Sequence, residues 1–421
     1  MSVTRREWVK TMGIGALGTS IAVPAGFSST AVTATEGPSG TPAREPKLKT
    51  YDNLPVRVNN PAKLKGWAIP AVRTEFGEGY KPSLAMLPDG ELVMVSLSQV
   101  MLPGKKFTEQ TPIWRSKDGG ITWSGPVVAE DMIGREHWLT CTSGGVLLTT
   151  CHWLTQDIKN HYGFTPSFVH RSTDRGRTWQ RTRIVIEGQP EKLGTVASRN
   201  IVELPDKTLV LGVAVNTTSY GALWRSRNVG ETWEKAEPVK IGGYHNRPYD
   251  NWDGFFTENW FYREASGKLQ NFFRCGPPSP MYPMEDGRVT PKENDGGDRT
   301  LRCESTDEGR TWTNLRDFGN YGVMYPRILR LADGRLLMTF TQRSLLYPLG
   351  IQAIFSYDNG ETWSWDQDHL IIDGKTPWGM PSGGGFGNTV QLLDGTLVSC
   401  YSYHAADDKK YIEVARWKLP A

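Results

Sequence analysis

The sequence predicts an all-β chain: six four-stranded antiparallel units set around one axis as a β-propeller. Three observations predict it. An octapeptide recurs five times, a hairpin repeat interleaves with it, and the composition is rich in glycine and tryptophan.

Composition sets the bounds. The 421 residues include 45 Gly, 27 Pro, 16 Trp and 15 Tyr, and 38% are hydrophobic. Sixteen indoles require a large folded core, because a solvated tail has no use for them. The length suits two or three ordinary domains, but closed all-β folds run long as single units. The 48 basic and 45 acidic side chains give a net charge of +3, which excludes the strongly basic footprint of a nucleic-acid binder. No segment approaches the roughly 18 consecutive apolar residues of a membrane-spanning helix, so a multi-pass membrane protein is excluded.

The first 34 residues read as a targeting signal. Arg5 and Arg6 precede Trp8, Val9 and Lys10, a modest apolar stretch follows from Met12 to Ala25, and small residues lie at Ala31 and Ala34. The pattern resembles a bacterial twin-arginine signal, with an ordinary basic-apolar helix as the alternative. It implies export of the folded chain to the periplasm or beyond, with no membrane association once the signal is removed. Residues 35–60, rich in Pro, Thr and Lys, read as a linker, leaving 61–421 for the propeller. Of five cysteines, Cys275 and Cys303 flank a long insertion and are the best disulfide candidates. No cysteine has zinc-type spacing, so neither a metal site nor a cofactor is expected.

The octapeptide occurs at Ser116–Trp123 (SKDGGITW), Ser172–Trp179 (STDRGRTW), Ser226–Trp233 (SRNVGETW), Ser305–Trp312 (STDEGRTW) and Ser356–Trp363 (SYDNGETW), with start-to-start spacings of 56, 54, 79 and 51 residues. Its Asp or Asn can bond the turn's own amides, its Gly supplies a positive φ, and its Trp fills the space between sheets. The hairpin repeat is Leu87–Leu92 (LPDGEL), Leu204–Leu209 (LPDKTL), Leu331–Leu336 (LADGRL) and Leu392–Leu397 (LLDGTL), with weaker copies at 142–147 and 265–269. Six hairpins with five octapeptides give strand, hairpin, strand, long loop, strand, octapeptide, strand in each unit. The sixth unit ends at its third strand, so the fourth is expected from around Trp67 to Glu75, closing the ring.

The octapeptides are similar to Asp boxes, and residues 61–421 resemble the sialidase (neuraminidase) superfamily. That resemblance implies a six-bladed sialidase-like propeller acting on carbohydrate, with the boxes structural and away from the substrate face. In the fourth blade, Thr257-Glu258-Asn259 followed by Lys268–Arg274 looks like the sialidase segment in which a Glu supports the catalytic tyrosine and an Arg grips the substrate carboxylate. Other blades depart from the pattern. Tyr80 falls where the first blade's arginine belongs, with Lys81 the only nearby cation. Phe386 stands in the register of the nucleophilic tyrosine. The first long loop, Ser98 to Thr111, offers only Glu109 for the acid/base aspartate.

Counting eight residues back from each hairpin turn gives one ring of positions facing the substrate end: Lys81, Glu136, Ser198, Glu258, Tyr325 and Phe386. The far ends of the second strands add His152, Arg274, Arg343, Tyr401 and His404. Glu258 with Glu136 are the candidate catalytic carboxylates, and their spacing is expected to be nearer an inverting than a retaining pair. Tyr325 is the alternative nucleophile. Arg274, Arg327, Arg343, Lys81, His137, His152 and His404 are candidate substrate contacts, and Trp153, Trp252 and Trp378 candidate sugar-stacking groups. The expected function is an exported exo-glycoside hydrolase of sialidase type acting on a terminal, acidic or neutral, sugar. A non-catalytic glycan-binding propeller and a polysaccharide lyase stay open as alternatives. Nothing in the sequence fixes the oligomeric state.

Overall fold

The computed structural model describes residues 48–215, 221–241, 258–275, 298–377 and 384–420. Their strands form six antiparallel sheets, the blades of a propeller. Blade 1 contains Tyr80–Met86, Leu92–Met101, Pro112–Ser116 and Ser124–Val128, and blade 2 contains Arg135–Cys141, Leu147–His152, Ser167–Ser172 and Gln180–Arg183. In blade 3 the inner strand is broken into Thr195–Ala197 and Val202–Glu203, both paired with Leu209–Val215. Blade 4 is built on Trp260–Arg263, Leu269–Cys275, Arg299–Ser305 and Thr311–Phe318, and blade 5 on Val323–Arg330, Leu336–Gln342, Gly350–Ser356 and His369–Ile371. Blade 6 contributes Gly385–Gln391, Leu397–His404 and Lys410–Trp417.

The ring closes with a strand from the other end of the chain. Ala71–Glu78 pairs antiparallel with Lys410–Trp417, a few residues beyond the expected Trp67–Glu75. The stretch expected to be linker over 35–60 enters the fold before its end: Lys49–Tyr51 pairs with Ala71–Glu78, and Val56–Asn59 adds to the outer edge of blade 5. A buried ion pair pins this junction. Arg73 Nη1 lies 3.0 Å from Glu413 Oε1 with both side chains fully buried, and Arg73 Nε donates to the Leu54 carbonyl at 2.7 Å. Lys375 Nζ reaches Glu413 and Glu75 at 2.7 and 2.9 Å.

All five octapeptides lie at the strand ends and repeat one device. In the first, Ser116 Oγ accepts from Gly120 N and donates to Asp118 Oδ1, while Asp118 accepts from the Thr122 amide. Each tryptophan joins the core between its own blade and the preceding one: Trp123, Trp179, Trp233, Trp312 and Trp363. Trp312 is fully buried and stacks on Phe261 with ring centroids 5.6 Å apart.

Side chains clamp every blade junction. Ser83 Oγ accepts from Leu139 N, Thr140 Oγ1 from Ile201 N and Thr341 Oγ1 from Phe386 N, and Thr300 Oγ1 donates to Val323 O. Asn200 makes two bonds to the Phe261 backbone, and Asn388 two to Leu84, at 2.8 and 2.7 Å. Asn388→Ala strips both partners from a buried backbone segment between blades 6 and 1. It is expected to cost about 2–3 kcal/mol in urea denaturation.

Cys303 is a buried free thiol, which corrects the proposed pairing with Cys275. The register sets Cys303 opposite Asn271 and Cys275 opposite Arg299, four residues further along. That offset is roughly 13 Å, beyond what a disulfide can span.

Candidate functional site

The ring of positions counted from the hairpin turns shares one backbone feature. Lys81, Glu136, Glu258, Tyr325 and Phe386 all have positive φ, at 50, 60, 53, 56 and 45°. In blades 1, 2 and 5 the inner strand carries two residues against one on its partner there, a β-bulge. A left-handed conformation at a non-glycine residue costs on the order of 1–3 kcal/mol and clusters at functional sites. The same backbone state recurs in the octapeptide turns, at Arg175, Val229, Glu308 and Asn359, so the candidate site rests on the side chains that converge from this ring.

The side chains converge as a charged cluster. Glu258 Oε2 lies 2.7 Å from Arg274 Nη1. Tyr325 Oη accepts from the same Arg274 nitrogen at 2.9 Å and donates to Glu258 Oε1 at 3.3 Å. Arg274 is held from behind by Asp298 at 2.5 Å. Arg199 Nη2 bridges the two carboxylates, 2.9 Å from Glu258 Oε1 and 2.5 Å from Glu136 Oε2. Lys81 Nζ contacts Glu136 directly and sits 4.3 Å over the Phe386 ring. Arg135 Nε stands between Glu136 and Glu109, at 3.6 and 3.5 Å. Tyr325 packs on Phe386 with centroids 4.3 Å apart, over which Arg343 lies at 4.8 Å while donating to Tyr80 Oη at 3.2 Å. Glu258 and Arg274 keep 23% and 20% of their side chains exposed, the open end of the cluster.

The charges shift one another. Burial alone raises a carboxylate, but Arg274 and Arg199 outweigh it and hold Glu258 down at about 2. Lys81 and Arg199 likewise overcome burial to hold Glu136 well below its ordinary value. Glu109 goes the other way. Burial, only partly opposed by Arg135, pushes it up to about 7.

Several expectations are corrected. Arg199 was missed and fills the space between Glu136 and Glu258, whose nearest oxygens are within about 5.4 Å because they share its one nitrogen. That upper bound lies nearer the roughly 5 Å of a retaining pair than the separation expected for an inverting one. Arg327 is buried, with its guanidinium 3.2 Å over the Trp138 ring and 4.8 Å from that of Trp260. Trp153 is 2% exposed, donates to Asp157 and cannot stack on a sugar. His137 turns away from the axis onto His170 and Thr149. His404 is buried and bonded to Asp408 at 2.7 Å. His152 does face Glu136, but burial pushes it down to about 4, leaving it neutral at pH 7. Trp252 and Trp378 lie outside the described residues.

No family model matches the chain, and no curated protein matches it. Solved structures do. A protein of unknown function from Dyadobacter fermentans aligns with TM-score 0.59 at 17% identity, over 88% of this chain and 99% of that one. An alpha-L-arabinanase from Penicillium chrysogenum complexed with arabinobiose gives 0.54 at 14%, over 86% and 98%. The NanB sialidase from Streptococcus pneumoniae gives 0.53 at 12%, over 86% and 70%. At these identities the likeness establishes the six-bladed propeller fold, and function rests on the site.

Proposed function

We propose that this chain is an exported exo-glycoside hydrolase of sialidase type that releases a terminal acidic sugar. The observation that carries the proposal is Tyr325, whose hydroxyl is held between the Glu258 carboxylate and the Arg274 guanidinium. A phenol becomes a nucleophile when an adjacent base takes its proton. At rest Glu258 is a weak base, because Arg274 and Arg199 stabilise its charge. An acidic sugar that draws Arg274 onto its own carboxylate weakens that hold and raises the basicity of Glu258 as the substrate arrives. Glu136 then acts as a counter-ion that fixes Lys81 and Arg199. Glu109, protonated near neutral pH, is assigned as the proton donor to the leaving oxygen. The Arg5-Arg6 signal and the octapeptides, read as Asp boxes, complete a chain exported in folded form.

The test is a panel of acidic and neutral terminal glycosides, with released sugar quantified across pH. Release of an acidic sugar is expected, with turnover falling as pH rises through about 7 and Glu109 loses its proton. Glu109→Gln should remove that limb. Phe386, in the nucleophile register, favours a second reading as a glycan-binding propeller. A ligand that binds in calorimetry and emerges unchanged would select it, whereas an ultraviolet-absorbing unsaturated product would mark a lyase.

A further inference from the structure

We propose that His137, Cys151 and His170 form a binding site for a transition-metal ion of the zinc and copper class. The three residues come from the adjacent strands Arg135–Cys141, Leu147–His152 and Ser167–Ser172. One ligand atom from each lies within 4.8 Å of the other two, and all three side chains are buried. A thiolate with two imidazoles is the donor set these ions prefer over calcium or magnesium. Cys151 Sγ is 3.7 Å from His170 Nδ1. That is close to the roughly 3.5 Å edge set by metal–sulfur and metal–nitrogen bonds near the tetrahedral angle.

His137 supplies an independent observation. Its Nδ1 is bonded to Thr149 Oγ1 at 3.0 Å, while its Nε2 is buried with no hydrogen-bond partner. A bond that orients one ring nitrogen while the other faces the cluster is how a metal-bound histidine is held. The Ile133 carbonyl, 3.1 Å from Cys151 Sγ, stands ready as an oxygen donor for a further position.

The surroundings fit a closed site. A Cβ on Gly134, at φ +85°, would meet His152 O at 2.8 Å and Cys151 Sγ at 3.0 Å, so only glycine lets this loop press onto the thiol. Trp153, Phe168 and Tyr162 wrap the far side in apolar surface. On binding, Cys151 releases its thiol proton to solvent. The Ile133 N–H donates to His170 Nε2 at a long 3.3 Å, which places that ring's proton on Nδ1. On binding, the ring proton moves to Nε2 as Nδ1 takes the ion, and the hydrogen bond from the Ile133 N–H is given up. The ligands are separated by 14 and 19 residues, because each comes from a different strand, and no short spacing motif betrays them.

The test strips the full-length protein with a chelator and titrates it with Co(II). One cobalt per chain is expected, with thiolate-to-cobalt charge transfer in the near ultraviolet, tetrahedral ligand-field bands and a raised Tm. Cys151→Ser should lose the charge-transfer band and at least about tenfold in affinity. If folded wild-type protein binds no stoichiometric cobalt and shows no such band, the three residues are a hydrogen-bonded core and the proposal is overturned. An unchanged spectrum in Cys151→Ser overturns it equally. The wild-type measurement decides the matter even if the variant does not fold. Glycan turnover enters neither readout, so this proposal and the hydrolase reading stand or fall separately.

Discussion

Tyr325→Phe is expected to lower kcat roughly 10³-fold or more while leaving the fold and sugar affinity nearly intact. The substitution removes one oxygen and nothing else. The ring keeps its packing on Phe386 and its place beneath Arg343 and Arg199. Arg274 loses one acceptor but retains Glu258 and Asp298 as counter-ions. The loss therefore falls on the group that attacks, and KM should move little. Steady-state kinetics on the released sugar, with the unfolding midpoint measured in parallel, separates this from a folding defect. Wild-type kcat in the variant would show that Tyr325 only packs, and the hydrolase mechanism assigned to it would fail.

Arg199→Ala is expected to destabilise the protein by about 3–5 kcal/mol, the range for removing one partner from a buried ion cluster. The guanidinium is the cation shared by Glu136 and Glu258, and its side chain is 6% exposed. Without it the two carboxylates face each other across the gap, Glu136 left with Lys81 and Arg135 and Glu258 with Arg274. The pH dependence follows. In the wild type, Glu258 titrates at about 2 against an ordinary 4.5, so its stabilisation is present above about 4.5 and is lost as pH falls toward 2. In the variant the Glu258 carboxylate is held less tightly, its pKa rises toward the ordinary value, and this contribution shrinks. The deficit relative to wild type should thus be largest at pH 7 and shrink as the pH falls below about 4. Urea denaturation at pH 7, 5 and 3 measures it. A deficit that is small, or the same at every pH, would show that Arg199 is not the common counter-ion.

Much of this architecture was legible because its signals are local. Each octapeptide carries its own hydroxyl, Asp or Asn, glycine and indole, so the turn is written within eight residues. The ring was legible by counting, because the side chains of a strand alternate with period two from a fixed turn. Counting failed where the strand is irregular. In blade 3 the inner strand breaks between Ala197 and Val202, so Ser198 turns back to bond Asn200 O and Gly212 N. Arg199, one residue on, takes the axis. His137 and Trp153 failed for a related reason, since each directly follows a residue (Glu136, His152) that faces the site and so points elsewhere. The strands Lys49–Tyr51 and Val56–Asn59 are only three and four residues long, too short for alternation to distinguish them from linker.

The closing strand has a consequence for when the protein can be finished. Arg73 and Glu413, ion partners in the last blade, are 340 residues apart in the chain. At ribosomal speeds of about 5–20 residues per second, the edge strand Ala71–Glu78 waits roughly 17–70 s for Lys410–Trp417 to be made. Loop-closure entropy for that contact must be met before the pairing returns anything. The ring therefore closes only once Lys410–Trp417 has been made, and until then blade 6 lacks that strand. Losing those residues leaves Arg73 facing no carboxylate partner on blade 6, and a lesion at one end of the chain is felt as an open edge at the other.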